Sequence, residues 1–174
     1  MIKNKNAAIV LKLIKELDSI GSWCGETHVQ KTMFFLQEAI KVDTGFEFIM
    51  YKHGPYSFDL SDLLVSLQAH GMVRLVPQLY PYGPSFDLSE DGENMIKWNL
   101  AEMESEISKI EYIARKLGRK KVVELERLGT ALYVRNEIGD GSIDLMADRI
   151  IKLKPHIPPE KAKEAIKDIF EIIQ

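Results

Sequence analysis

Apolar residues in the first part of the chain fall at helical intervals. Ile9, Leu13, Leu17 and Ile20 recur every three or four positions, and Val10 and Ile14 widen the stripe. The spacing predicts a helix over roughly Asn4 to Ser19, stopped near Gly21. A second stripe, Val29, Met33, Leu36 and Ile40, follows Thr27 and Gln30, which have the T-x-x-Q spacing of a capping box. Past Gly45 the period drops to two. Phe46, Phe48 and Met50 alternate with Glu47, Ile49 and Tyr51, as in a short strand. Leu60, Leu63, Leu64 and Leu67 then restore a helical stripe. Ser57 or Asp59 can cap this third helix, Asp62 is acidic in its first turn, and His70-Gly71 ends it. Met72 to Val76 and Ser85 to Leu88 read as strands around a proline-rich loop, Pro77 to Pro84. Helix, helix, short strand, helix, strand, loop, strand is the element order of a winged helix. Ser57 to Leu88 would supply its third helix and two-stranded wing.

After Trp98 the pattern is helical throughout. Met103, Ile107, Ile110, Ala114 and Leu117 step along a long helix capped by Gly118. Lys121 to Asn136 forms the next, with Val122, Leu125, Leu128 and Leu132 inward. Gly139-Asp140-Gly141 is a turn, and Ser142 caps a helix carrying Ile143, Met146, Ile150 and Leu153. Pro159 is placed as the first residue of a last helix, whose inner face is Ala162, Ile166, Ile169 and Ile173. These helices need a partner layer to bury their stripes, so the second half should pack on the first. The expected fold is mainly α. A winged-helix-like region at 1–98 would join a helical extension at 99–174 in one compact unit.

Composition changes this picture little. A single cysteine, Cys24, excludes an internal disulfide framework and fits a reducing compartment. No apolar run approaches the roughly 18 residues of a membrane span. Lys12, Lys15 and Glu16 interrupt the N-terminal apolar stretch at helical spacing, unlike a signal peptide. A cytoplasmic protein is expected. The net charge of −3 does not advertise a nucleic-acid binder.

Candidate chemistry gathers at one stretch, Tyr51-Lys52-His53-Gly54-Pro55-Tyr56. Pro55 fixes its own φ, and Gly54 before it is pushed out of helical geometry. The pair is sufficiently explained as a rigid strand-to-helix corner, which would present His53 and Tyr56 as polar-tipped anchors. Catalysis by His53 would need a nucleophile such as Cys24 within hydrogen-bond reach, and nothing in the sequence puts the two together. No nucleophile elbow, P-loop, dinucleotide fingerprint or zinc-protease motif occurs. The histidines, at 28, 53, 70 and 156, lack ligand spacing. No catalytic residue, metal or cofactor is therefore expected. From Ser57 through Glu90 the sole basic residue is Arg74, opposed by Asp59, Asp62, Asp87 and Glu90, so the third helix and wing would repel phosphate. Basic residues concentrate instead at Arg115, Lys116, Arg119, Lys120 and Lys121. That run is an alternative nucleic-acid patch, or simply a solvated helix end.

Gln30-Lys31 within an apolar helix, His53-Gly54-Pro55-Tyr56, Leu63, Leu67 and the Gly71-Met72-Val73 ending resemble the YwgA-like uncharacterised proteins of bacteria and archaea. Those are similar to the wider Panacea-domain family, with its SocA adaptor and GepA-like members. Glu124-Leu125-Glu126 and the helix after it resemble the family's later segment. The resemblance covers about Ala8 to Asn136 and is strongest from Glu26 to Val73. It implies a small non-enzymatic domain that binds a toxin protein and, in SocA-like members, hands it to a protease. The expected function is accordingly a protein-binding module of the antitoxin or proteolytic-adaptor type. The expected partner is a toxin-like or protease-related protein. Partner-binding candidates are His53, Tyr56, Gln30 and Lys31, while Gly54 and Pro55 hold the fold. The alternative is a winged-helix transcription regulator that binds DNA.

Overall fold

The first helix, α1 (Asn4–Ser19), is the centre of the molecule rather than its edge. Ala7 to Leu11 are all buried, together with Leu13, Ile14 and Leu17. Its lysines survive there by running their stems out to carboxylates: Lys12 Nζ lies 2.5 Å from Glu16, and Lys15 Nζ lies 2.5 Å from Glu93. These observations come from a computed structural model that describes residues 4–173. The expected boundaries at 1 and 174 fall outside the described residues.

A turn at Gly21, with φ of +74°, leads to α2 (Glu26–Glu38). Between them Cys24 accepts a main-chain bond from Phe86, and Gly25 bridges to Ser85. The capping box expected from Thr27 and Gln30 does not form. Gly25 is the N-cap, and Gln30 is fully buried one turn further along, where its amide serves another segment.

The strand expected at Phe46 to Tyr51 shortens to β1 (Ile49–Tyr51). Phe46 cannot join a ladder, because the Gln37 side chain takes both of its main-chain groups: Phe46 N donates to Oε1 at 3.0 Å, and Nε2 donates to Phe46 O at 2.9 Å. β1 pairs antiparallel with β2 (Gly54–Tyr56), Met50 facing Pro55. The Gly-Pro pair is thus a strand, and the turn lies one step earlier at Lys52-His53. Proline is tolerated because a two-stranded ribbon has only edges.

Ser57 caps α3 (Phe58–Ala69), accepting from Leu60 N at 3.2 Å, and Gly71 with φ of +72° stops it. β3 (Val73–Val76) and β4 (Ser85–Leu88) form a second antiparallel hairpin, as the spacing predicts. Ser89 caps α4 (Glu90–Trp98), whose first turn crosses the hairpin so closely that a side chain on Gly92 would meet Met72 O and Leu88.

The remaining helices are α5 (Glu104–Leu117), α6 (Val122–Ile138), α7 (Ile143–Leu153) and α8 (Pro159–Ile173). Gly118 and Ser142 cap α5 and α7 where the sequence puts them, and Pro159 is the first residue of α8. Val122 is an exception to the expected inner face. As the first residue of α6 it points away from the stripe and is exposed. α5 packs on α1 and α2, and α6 packs on α2, β2, α7 and α8. Side chains from Ala7 to Ile172 belong to one buried cluster. The fold is mainly α, with eight α-helices and two small hairpins among the described residues. No described helix is long and apolar enough to cross a membrane.

Candidate functional site

The Gln30-Lys31 pair and the Gly54-Pro55 pair are two halves of one internal joint. Gln30 grips the residue after β2 twice: Ser57 N donates to Oε1, and Nε2 donates to Ser57 O, both at 2.9 Å. Lys31 Nζ donates to Pro55 O at 2.8 Å. From the other side Lys154, just beyond α7, donates to Tyr51 O at 2.7 Å and Lys52 O at 2.6 Å. A hairpin of two three-residue strands cannot hold its own shape in water. Here the side chains of α2 and of the α7–α8 connection fix it.

The approach is close enough that an added Cβ on either surface would be crowded. Gly54 has φ of +90°, and a Cβ there would lie 3.3 Å from Lys31 Cε and 3.4 Å from Glu126 O. On α6, a Cβ at Gly129 would lie 3.1 Å from the Pro55 ring. Glu126 supplies a buried negative charge here, its Oε1 lying 3.6 Å from Lys154 Nζ and 3.2 Å from His156 Nε2. Lys154 pairs with this carboxylate, and its charge also acts on the Lys31 ammonium. Burial lowers the pKa of Lys31 to about 8; Glu126 opposes that shift and Lys154 adds to it.

Gln30 and Lys31, expected as partner-binding residues, are therefore corrected. At 0% and 2% exposure they are interior, and their polar atoms are used by β2. His53 is exposed in the β1–β2 turn. Tyr56 is half-buried, its ring 5.6 Å from Tyr51 and 5.1 Å from Phe58, and its hydroxyl donates to Glu26 Oε1 at 2.7 Å.

Glu26 connects this aromatic trio to a cleft of about 1070 Å³. One wall is the outer face of α3, with Ser61, Leu64, Val65 and Gln68. A second is the β3–β4 hairpin and its loop, with Leu75, Phe86 and Tyr82, the last packed on Trp23 at 4.6 Å between ring centres. The third is the turn from α5 to α6: Arg119, Lys120, Lys121, Val122 and Val123. Arg115 and Lys116 are not part of it; Lys116 lies over the Tyr112 ring. The expected basic run is thus split, and three of its members join the cleft.

His28 lines the same cleft at 3% exposure. Its Nε2 lies 2.9 Å from Lys120 O, and a carbonyl can only accept, so Nε2 bears the proton. Burial lowers the pKa of this imidazole, with the Lys120 carbonyl opposing. Its Nδ1 has no hydrogen-bond partner among the described residues.

Cys24 is buried, and its thiol pKa rises to about 12, first through burial and then through the carboxylates of Asp18 and Asp87. Such a thiol stays protonated at neutral pH. Among the described residues, no three of His, Cys, Asp or Glu converge in a metal-holding group.

Sequence reasoning missed Trp23, Val65, Tyr82, Glu126 and Lys154. The one signal it passed over was Gly129, a glycine in mid-helix, which marks a close backbone approach. No protein-family model matches the chain, and no curated protein is similar enough to count as a relative.

Proposed function

We propose that the chain is a non-enzymatic protein-binding module of the antitoxin or proteolytic-adaptor type, in line with its resemblance to Panacea-domain proteins. We place the docking site in the cleft between α3, the β3–β4 hairpin and the α5–α6 turn. The observation that carries this reading is the cleft itself. On the α3 and hairpin sides it is walled by aromatic and aliphatic side chains. Beside it the hairpin loop holds Leu79 and Tyr80 at 86% and 97% exposure. Aromatic side chains standing free around a concavity are what a protein interface uses as anchors.

The N-terminal half, in this reading, is a winged-helix-like unit. The order α1, α2, α3 and hairpin supports it, and so does the Gly25–Ser85 bridge, which supplies a one-residue first strand between α1 and α2. A DNA-reading regulator is the second reading, favoured by that same order and by the basic turn. Its difficulty is charge. Asp59, Asp62, Asp87 and Glu90 face a duplex with Arg74 alone, and Arg74 is already paired with Asp87 at 2.6 Å. Duplex binding at physiological salt is expected to be no tighter than about 10⁻⁶ M. Fluorescence anisotropy finding a sequence-specific complex tighter than about 10⁻⁸ M would put the regulator first.

The docking reading is tested by photo-crosslinking in the native host. A crosslinking amino acid is placed at Gln68, which is exposed on the cleft wall, or at Lys167 on α8 as control. A protein captured from position 68 alone, and rebinding in purified form, is the expected result. Capture of no protein from position 68, or of the same one from both positions, would overturn the reading.

A further inference from the structure

We propose that the cleft takes an extended peptide segment of the partner in which carboxylate side chains alternate with large apolar ones. This rests on the protein-docking reading above and adds the chemistry of the docked segment. The walls are of two kinds. On the α3 and hairpin side they are apolar, with Leu64, Val65, Leu75 and Phe86 beside the Trp23–Tyr82 pair. On the α5–α6 side they are basic, with Arg119, Lys120 and Lys121. The lining holds one carboxylate, Glu26, and its Oε1 already accepts from Tyr56 at 2.7 Å and from Ser61 at 3.2 Å. Three cations against one engaged carboxylate make a positive rim over an apolar floor, and a docked segment of opposite sign would be steered to it. A wholly apolar segment would desolvate the cations without pairing them. A wholly acidic one would leave the aromatic surface in water.

The basic turn is held in place before any ligand arrives. Arg119 Nε donates to Ile20 O at 2.7 Å, and His28 Nε2 donates to Lys120 O at 2.9 Å. Gly118 fits so tightly that a Cβ there would lie 3.0 Å from Leu17 Cδ2. Lys121 N donates to Glu124 Oε2 at 2.8 Å, closing the start of α6. A rim fixed in this way loses little freedom on binding. The amides of Val122 and Val123 open α6 and have no carbonyl one turn back, so they add donors for a carboxylate at the same rim.

The test is selection from a random peptide library, panned on the immobilised full chain and counter-selected on the Val65→Trp/Gln68→Trp double variant. Both positions are exposed, so the plug should narrow the cleft without lowering the melting temperature, and a thermal melt checks this. Cleft-dependent sequences are expected to alternate Asp or Glu with Leu, Phe or Trp. A synthetic peptide of that kind should lose about tenfold or more in affinity when its carboxylates become amides. It should lose roughly three- to tenfold on the Lys120→Gln/Lys121→Gln variant. Cleft-dependent peptides without acidic enrichment, or an amide form that binds equally well, overturn this inference and leave the docking reading standing. Enrichment of no cleft-dependent peptide also overturns it, and crosslinking from position 68 then decides the docking reading separately. A single-stranded oligonucleotide that displaces the acidic peptide and binds more tightly overturns it in favour of nucleic acid.

Discussion

Gly54 shows what a single residue contributes to the joint. Its φ of +90° is a region that side chains rarely adopt, and its missing Cβ lets Lys31 and α6 close on β2. Gly54→Ala should cost about 1–3 kcal/mol, measured by chemical denaturation. Gly45→Ala is the control: its φ is +67°, but nothing lies within 4 Å of the added Cβ. Its loss should be the smaller, and equal losses would mean that crowding at Gly54 is unimportant. Lys31 makes a second residue-scale prediction. Its folded pKa of about 8 lies below the ordinary 10.5, so the unfolded chain holds the proton more tightly. Stability from this group therefore rises as pH climbs from about 8 to 10.5. Wild type should gain over Lys31→Met across that window. A flat difference between the two would show that burial does not depress this lysine.

At the scale of elements, helices were legible from sequence and the β1–β2 hairpin was not. The stripes of α3, α5 and α8 are local, and Ser57, Ser89 and Ser142 cap where short polar residues precede apolar periodicity. The hairpin depends on contacts distant in sequence. Lys154 reaches back to Tyr51 and Lys52, and Gln37 takes the main chain of Phe46 out of the expected strand. No periodicity encodes such bonds. Gln30 and Lys31 are polar residues on an apolar helix, and only the structure supplies their internal partners. Lys154→Gln should thus free the β1–β2 turn locally. Hydrogen exchange of the amides from Met50 to His53 should accelerate, with α1 unchanged. Unchanged exchange in the turn would mean that the strand pairing and Lys31 suffice to hold it.

On the scale of the whole molecule, the joint and the cleft divide the work. Lys31, Glu126 and Lys154 face inward and bind α2, α6 and the hairpin together. The outward consequence is the placement of α3, gripped at Ser57 by Gln30, opposite the basic α5–α6 turn. The cleft was illegible in the sequence because its walls come from segments near residues 23, 65, 82 and 120, each of which looks like an ordinary loop or solvated helix face. Arg119, Lys120 and Lys121 were visible as a basic run, but the apolar surface they face was not. We propose that this surface receives the protein partner. Hydrogen–deuterium exchange of the full chain, alone and with the crosslinked partner in purified form, tests it directly. The expected result is slowed exchange in α3 from Ser61 to Gln68 and in the turn from Gly118 to Val123, with α7 and α8 unaffected. Protection confined to α7 and α8, or to the β1–β2 hairpin around His53, would contradict it.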